Sequence, residues 1–171
     1  MLHRFARLLR HRWTSDTQHS VPPPVLARVA QKVARSESLH SGEIRICIEA
    51  GLPSGDLLSP LDMPALVRNR AVALFSELRV WDTAYNNGVL IYLLLADRAI
   101  ELVADRGLSP HVTPQQWQAL VLRLGDTVRQ GDMEGGLTQA IEDVTTLLAK
   151  HFPLAHGAPN PNELPDTPAM V

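Results

Sequence analysis

Carboxylate and amide side chains gather around one apolar segment of the chain. Asp82, Asn86 and Asn87 come shortly before the apolar run of residues 89–96, and Asp105 follows the next strand-like segment. Carboxylate, amide and backbone carbonyl oxygens on loops are the ligands that Ca²⁺ and Mg²⁺ prefer. These four residues therefore form a candidate metal site. With only two carboxylates, its dissociation constant would be on the order of 10⁻⁴–10⁻³ M.

A second group of charged residues lies where two strand-like segments end. Glu49 closes the segment 43–49, and Asp97 with Arg98 follows the apolar run, so these three residues form an alternative site. Both groups also have a plainer interpretation, which the residues alone favour. Asparagine and glycine accept positive φ, so Asn-Asn-Gly is a common turn. An Asp-Arg pair after a strand is commonly a hairpin turn with a surface ion pair.

Other kinds of chemistry have no support in the sequence. The seven histidines show neither HxxxH nor HExxH spacing, so we expect no zinc site. The chain has no Walker loop, no GxGxxG after a strand and no GxSxG elbow, so we expect neither a nucleotide nor a covalent catalyst, and no haem. The single cysteine, Cys47, lies in a strand pattern and is expected to be a buried small hydrophobe. Catalytic residues stay unassigned.

Hydrophobic periodicity predicts the elements that position these groups. The run 89–96 is wholly apolar, which is typical of a strand covered on both faces. Residues 43–49 alternate apolar and polar side chains, which predicts a half-exposed strand. A helix with Asp62 as its N-cap joins the two, and the Asp-Arg turn leads into an antiparallel strand over 99–104. Because the first two strands should be parallel, the two candidate sites should lie at opposite edges of a mixed sheet.

Three further helices should flank this sheet. The first is opened by a proline run and reaches about Ser38, the second is capped by Thr113, and the third ends near Phe152. The predicted fold class is α/β: a three-layer α/β/α sandwich with a small mixed β-sheet, Rossmann-like but without a nucleotide motif. The expected parts are an N-terminal helix and linker, one α/β domain, and a Pro/Asn-rich tail that is either irregular or packed as an extended strap (residues 1–20, 21–152 and 153–171).

Positive charge is concentrated at the N-terminus. Arg4, Arg7, Arg10 and Arg12 belong to a predicted basic amphipathic helix over residues 2–13, which can lie on an anionic membrane or dock on its own domain. The rest of the chain has 12 basic and 18 acidic side chains, a net charge of −6, which argues against nucleic acid. No apolar run approaches the roughly 20 residues of a membrane helix. We expect a cytoplasmic protein, peripheral at the inner face of the membrane if that helix binds lipid.

Several short motifs resemble the TPM domain, a bacterial and plastid family. They are NNGVL at residues 86–90, DR at 97–98, GL at 107–108 and GDMEGGL at 131–137. The tail sequence NPNELP at residues 160–165 is similar to that of a short, soluble bacterial branch found with LemA-type proteins. The resemblance implies an α/β/α sandwich, in agreement with the elements predicted above. It also implies LemA-like or other TPM-domain membrane proteins as partners.

The resemblance further implies a site. Some members bind divalent cations at loops flanking the sheet, and a plant thylakoid lumenal member is described as an acid phosphatase. Carried over, this implies a Ca²⁺, Mg²⁺ or phosphoryl site around Asp82, Asn86 and Asn87, with Asp97 as a further candidate. Where the family pattern leads us to expect a glycine before GL, this chain has Asp105.

Three hypotheses of function follow. The first is a divalent-cation-binding accessory domain associated with membrane-linked partners. The second is a metal-assisted phosphatase that hydrolyses phosphomonoesters, in which the cation polarises a phosphoryl oxygen and readies a water. The third is a purely structural docking module that uses the N-terminal helix and the tail.

Overall fold

A computed structural model describes residues 21–154 and 160–171 of the chain. The predicted amphipathic helix over residues 2–13, with its linker, lies outside the described residues. Within the described part, no helix is both long and apolar enough to cross a membrane.

A four-stranded mixed sheet forms the middle layer. Its strands are β1 (Ile44–Glu49), β2 (Val89–Leu94), β3 (Ala99–Ala104) and the short β4 (Ala169–Met170). They lie in the order β3-β2-β1-β4, with β1 parallel to both β2 and β4, and β2 antiparallel to β3. Every residue of β2 is buried, as the apolar run predicts. The βαβ unit and the hairpin are therefore confirmed.

Helices cover both faces of this sheet, which confirms the predicted sandwich. The helices are α1 (Pro23–Glu37), α2 (Ser54–Leu57), α3 (Met63–Glu77), α4 (Pro114–Arg129) and α5 (Met133–His151). One core cluster joins α1, α4 and α5 to the sheet, and a second cluster joins α2 and α3 to its other face. The predicted caps are present, because Asp62 accepts a hydrogen bond from the backbone N–H of Ala65 and Thr113 forms a capping box with Gln116.

The prediction that β1 is half-exposed is wrong. All six of its residues are buried, because helices cover both faces and β4 pairs with its outer edge. Its charged side chains are inside because they have partners there. Arg45 is 8% exposed and donates to the carbonyl oxygens of Pro165 and Thr167, at 2.7 and 2.5 Å. The alternation of charge along β1 therefore marks buried ion and hydrogen-bond sites.

The last residues of the chain pack as an extended strap, the second of the two arrangements considered for the tail. The backbone N–H of Leu164 donates to Glu43 at 3.1 Å, and the Leu164 side chain is buried in the α3-side cluster. The strap ends in β4, where the N–H of Val171 donates to the carbonyl of Ile48 at 3.0 Å. Residues 160–171 are thus part of the packed domain.

Candidate functional site

The turn before β2 holds the amide residues of the first candidate site. Asn87 donates its backbone N–H to the Thr83 hydroxyl at 3.1 Å, and Asn86 has a φ of 52°, a conformation that asparagine tolerates. Gly88 passes against the preceding turn, where a Cβ would lie 2.0 Å from the carbonyl oxygen of Val80. The local sequence therefore fixes a tight turn at the edge of the sheet where β2 begins.

Asp105 and Asn86 meet at this edge through Arg106. The guanidinium of Arg106 donates to the Asn86 side-chain oxygen from Nε at 3.2 Å and from Nη2 at 3.0 Å. Asp105 Oδ1 accepts the backbone N–H of Arg106 at 2.7 Å. Gly107 donates its N–H to the Asn86 carbonyl at 2.9 Å. The two loops lie close together, as predicted. The sequence analysis did not identify Arg106, a positively charged side chain at the same site.

Buried side-chain oxygens at this edge lack a hydrogen-bond partner in the described part of the chain: Asn87 Oδ1, Asp105 Oδ2 and Glu43 Oε1, the last from the residue before β1. The first two belong to neighbouring stretches of backbone, since the N–H of Asp105 donates to the carbonyl of Gly88 at 2.9 Å. Asn87 is fully buried and turns its amide group towards Ser41, whose carbonyl accepts from Nδ2 at 3.1 Å. A buried polar atom without a partner is costly unless water or a ligand satisfies it.

The fourth predicted ligand, Asp82, lies further out. It is exposed, and its backbone N–H closes a turn on the carbonyl of Arg79 at 2.9 Å. Among the described residues, no group of three or more histidine, cysteine, aspartate or glutamate side chains is placed to hold a metal ion. A cation at this edge would therefore depend on amide and carbonyl oxygens beside Asp105.

At the opposite edge, the Glu49 carboxylate already has strong partners. It is 4% exposed, binds Arg70 through two nitrogens with a shortest distance of 2.8 Å, and accepts the Tyr92 hydroxyl at 2.6 Å. Burial, together with the charge of Glu49, raises the pKa of Tyr92. Asp97 and Arg98 form the predicted hairpin turn, and Arg98 donates to the carbonyl of Arg129 at 3.3 Å. The alternative site is thus divided between a buried network and a surface turn.

A sequence model of the TPM domain matches residues 15–147 of the chain. The chain belongs to the TPM domain family. The solved structure of the BA42 protein from the psychrophilic bacterium Bizionia argentinensis is similar to it, with 27% identity, a TM-score of 0.73, and coverage of 92% of this chain and 99% of that one. The N-terminal domain of a P. gingivalis protein shares the fold at 18% identity and a TM-score of 0.59, covering 81% of this chain and 84% of that one. No curated protein matches.

This TPM domain also holds a buried acidic cluster that the sequence analysis missed. Glu37, at the end of α1, is 4% exposed and accepts the backbone N–H of Ile44 at 2.9 Å. Burial raises the pKa of Glu37 to about 9, helped by the nearby carboxylates of Glu43 and Asp166. Burial also raises the pKa of Glu43, which is fully buried under the strap. Glu37 lies four residues after Val33 on the same face of α1, and this spacing is the sequence signal that could have predicted its burial.

His40 and Cys47 are inert groups in the same interior. His40 is fully buried between the Ser36 hydroxyl at 2.8 Å and the carbonyl of Gly42 at 3.0 Å, and burial lowers its pKa to about 4. Cys47 is fully buried in β1, as predicted, and burial raises the pKa of its thiol to about 12. A thiol with so high a pKa is a poor nucleophile and a poor metal ligand at neutral pH.

Proposed function

We propose that this TPM domain is a divalent-cation-binding accessory domain that works with membrane-linked partners. One observation carries the proposal: Asn87 Oδ1 and Asp105 Oδ2 are buried at the same sheet edge without a hydrogen-bond partner among the described residues. A bound cation with its water shell would satisfy both oxygens. Arg106, the residue next to Asp105, is directed to Asn86 and so leaves Asp105 Oδ2 without its positive charge.

The available donors fit a hard cation. They are the carboxylate of Asp105, the side-chain oxygens of Asn86 and Asn87, and the backbone carbonyl oxygens of Tyr85 and Asn86. These two carbonyl oxygens lie close to Gly107, since a Cβ added there would be within 2.7 Å of both. All are oxygens, as Ca²⁺ and Mg²⁺ require, and loop carbonyls are ordinary Ca²⁺ ligands. A single close carboxylate gives weak binding, on the order of 10⁻⁴–10⁻³ M. Asp82 would then act as a second carboxylate through water.

Arg106 competes with such a cation. Its guanidinium holds the Asn86 oxygen, so binding would displace it and place two positive groups near each other. Replacing Arg106 with glutamine should therefore raise the affinity for Ca²⁺. This dependence is specific to the proposed edge, since the guanidinium of Arg106 donates to Asn86, whereas Glu49 lies at the opposite edge.

The test is a Ca²⁺ and Mg²⁺ titration of the full chain by amide NMR, with reversal by EDTA. We expect saturable shifts confined to residues 82–88 and 105–107. Asp105→Asn, which keeps the cap on Arg106, should weaken binding about tenfold or more, because the carboxylate assigned to the cation is lost. Asp97→Asn at the opposite edge is the matched control and should bind normally. Shifts centred on Glu49, or equal loss in both variants, would refute the assigned site.

The membrane-linked part of the proposal rests on the four arginines of the N-terminal segment, which carries no acidic residue. Basic residues near a membrane contribute about 1 kcal/mol each on anionic lipid. LemA-like or other TPM-domain membrane proteins are the proposed partners, at the inner face of the membrane. Co-sedimentation with vesicles of phosphatidylserine and phosphatidylcholine should fall when residues 1–13 are deleted and when salt is raised. Equal sedimentation of both proteins would refute this part alone.

A further inference from the structure

β3 is one of the two edge strands of the sheet, and no strand among the described residues pairs with its outer side, so some of its backbone groups face outward. The N–H of Asp105 donates to the carbonyl of Gly88 across the β2–β3 pair. Hydrogen bonding alternates along an antiparallel pair, so the N–H and C=O groups of Ile100, Leu102 and Ala104 point away from β2. An edge of this kind is a template for a further strand.

Side chains cover only the middle of this edge. Arg68 on α3 donates to the carbonyl of Leu102 at 2.6 Å, and the N–H of Leu102 donates to the Glu101 carboxylate at 3.0 Å. No hydrogen bond among the described residues reaches the outward groups of Ile100 or Ala104 from another element. The outward N–H and C=O groups of Ile100 and Ala104 therefore remain available on either side of Leu102, whose own groups are covered.

A cavity of about 410 Å³ runs beside this edge. Arg68 and Glu101 border it on the α3 side, and Trp117 and Val121 of α4 border it on the other. The cavity is thus bordered by both helical layers and by β3, and it forms a groove at the position that one extended chain beside β3 would take. A second copy of the domain would bring its own helical layers against these walls, so a lone strand fits the groove better than another sheet edge does.

The charges of the groove favour a basic occupant. Arg68 and Glu101 neutralise each other in an ion pair of 3.2 Å. Asp105 also lines the groove, and its buried Oδ2 has no partner in the described part of the chain. The charge left over is negative, whereas the α4 wall is largely apolar. A strand that alternates apolar and basic side chains would place its apolar side chains on Trp117 and Val121. Its basic side chains would then come within reach of Asp105.

We propose that this groove binds an extended segment of a partner protein, with alternating apolar and basic residues, which adds as a fifth strand to the β3 edge. Backbone hydrogen bonds to Ile100 and Ala104 give affinity, and the α4 wall with Asp105 gives sequence preference. Arg68 and Glu101 act as removable covers that keep the edge from pairing indiscriminately in the absence of the partner.

The experiment uses the full chain in EDTA and a capped seven-residue peptide that alternates valine and arginine. Amide NMR should show saturable shifts at Ile100 and Ala104, and hydrogen exchange of both amides should slow at least about tenfold in the complex, as ladder hydrogen bonds form. Two peptides N-methylated at alternate positions are the matched controls. The one blocked on the protein-facing edge should lose binding, and the one blocked on the opposite edge should keep it.

Variants of the protein test the groove itself. Asp105→Asn should lower the affinity for the arginine peptide about tenfold, as expected for a charged hydrogen bond, and leave a threonine-substituted peptide unaffected. Absence of binding at millimolar peptide, equal loss with both methylated peptides, or shifts that centre away from β3 would overturn the proposal. So would self-association through β3 that peptide does not reverse, since the occupant would then be a second copy. EDTA keeps all these outcomes separate from cation binding.

Discussion

Replacing Glu37 with glutamine should reduce the alkaline loss of stability of this domain, although Glu43, whose pKa is also raised, keeps its own share. Burial holds the pKa of Glu37 at about 9 in the folded chain, against an ordinary value of 4.5. Between these values the folded state keeps the proton and the unfolded state releases it. The stabilising contribution is therefore complete below pH 4.5 and is lost as the pH rises through 9.

The magnitude follows from the width of this window. Each pH unit inside it costs about 1.36 kcal/mol, so the step from pH 5 to pH 8 costs the wild type about 4 kcal/mol through Glu37 alone. That is a large part of the roughly 5–15 kcal/mol that holds a domain together. A glutamine amide keeps an acceptor for the N–H of Ile44, 2.9 Å away in the wild type, and offers a donor in place of the carboxyl proton.

Urea unfolding at pH 5, 6.5 and 8 measures the effect, with constant m-values as the check that both proteins unfold in the same way. His40, whose lowered pKa of about 4 adds stability that is lost as the pH falls from 6.5 through 4, contributes equally to both proteins and cancels in the difference. Glu142→Gln, on the exposed side of α5, is the matched control. Parallel pH profiles for wild type and Glu37→Gln would refute the argument.

Three further outcomes are expected. Tyr92→Phe should cost about 1.5–3 kcal/mol in urea unfolding, because the buried Glu49 carboxylate loses a 2.6 Å hydrogen bond; no loss would mean that Arg70 alone satisfies it. Arg45→Met should leave the sheet folded while hydrogen exchange of the Val171 amide speeds up about tenfold or more, since the strap loses two hydrogen bonds; unchanged exchange would show that β4 pairing suffices. Gly88→Ala should cost more than about 3 kcal/mol by thermal unfolding, because its Cβ would lie 2.0 Å from the Val80 carbonyl, whereas Gly55→Ala, with open space around it, should not destabilise; equal effects would contradict the close approach.

The sequence predicted the elements whose signals are local. β2 is a wholly apolar run and is buried throughout, and the caps at Asp62 and Thr113 form where they were predicted. β1 was misjudged because alternation reports the types of side chains and not what covers them. Arg45 is buried since its carbonyl partners lie in the strap about 120 residues away in the chain. No pattern within residues 43–49 contains that information.

The candidate site shows the same division between local and distant information. Parallel pairing of β1 and β2 was enough to place Asn86 and Asp105 at one edge and Glu49 at the other. Whether each carboxylate has an ion-pair partner was not predictable, because this depends on which arginine side chain reaches it in the folded chain. Glu49 is held by Arg70, which is 21 residues away in sequence on α3, whereas Arg106 turns from the adjacent Asp105 to Asn86. The cation site is therefore proposed at the edge where Asp105 Oδ2 has no hydrogen-bond partner among the described residues.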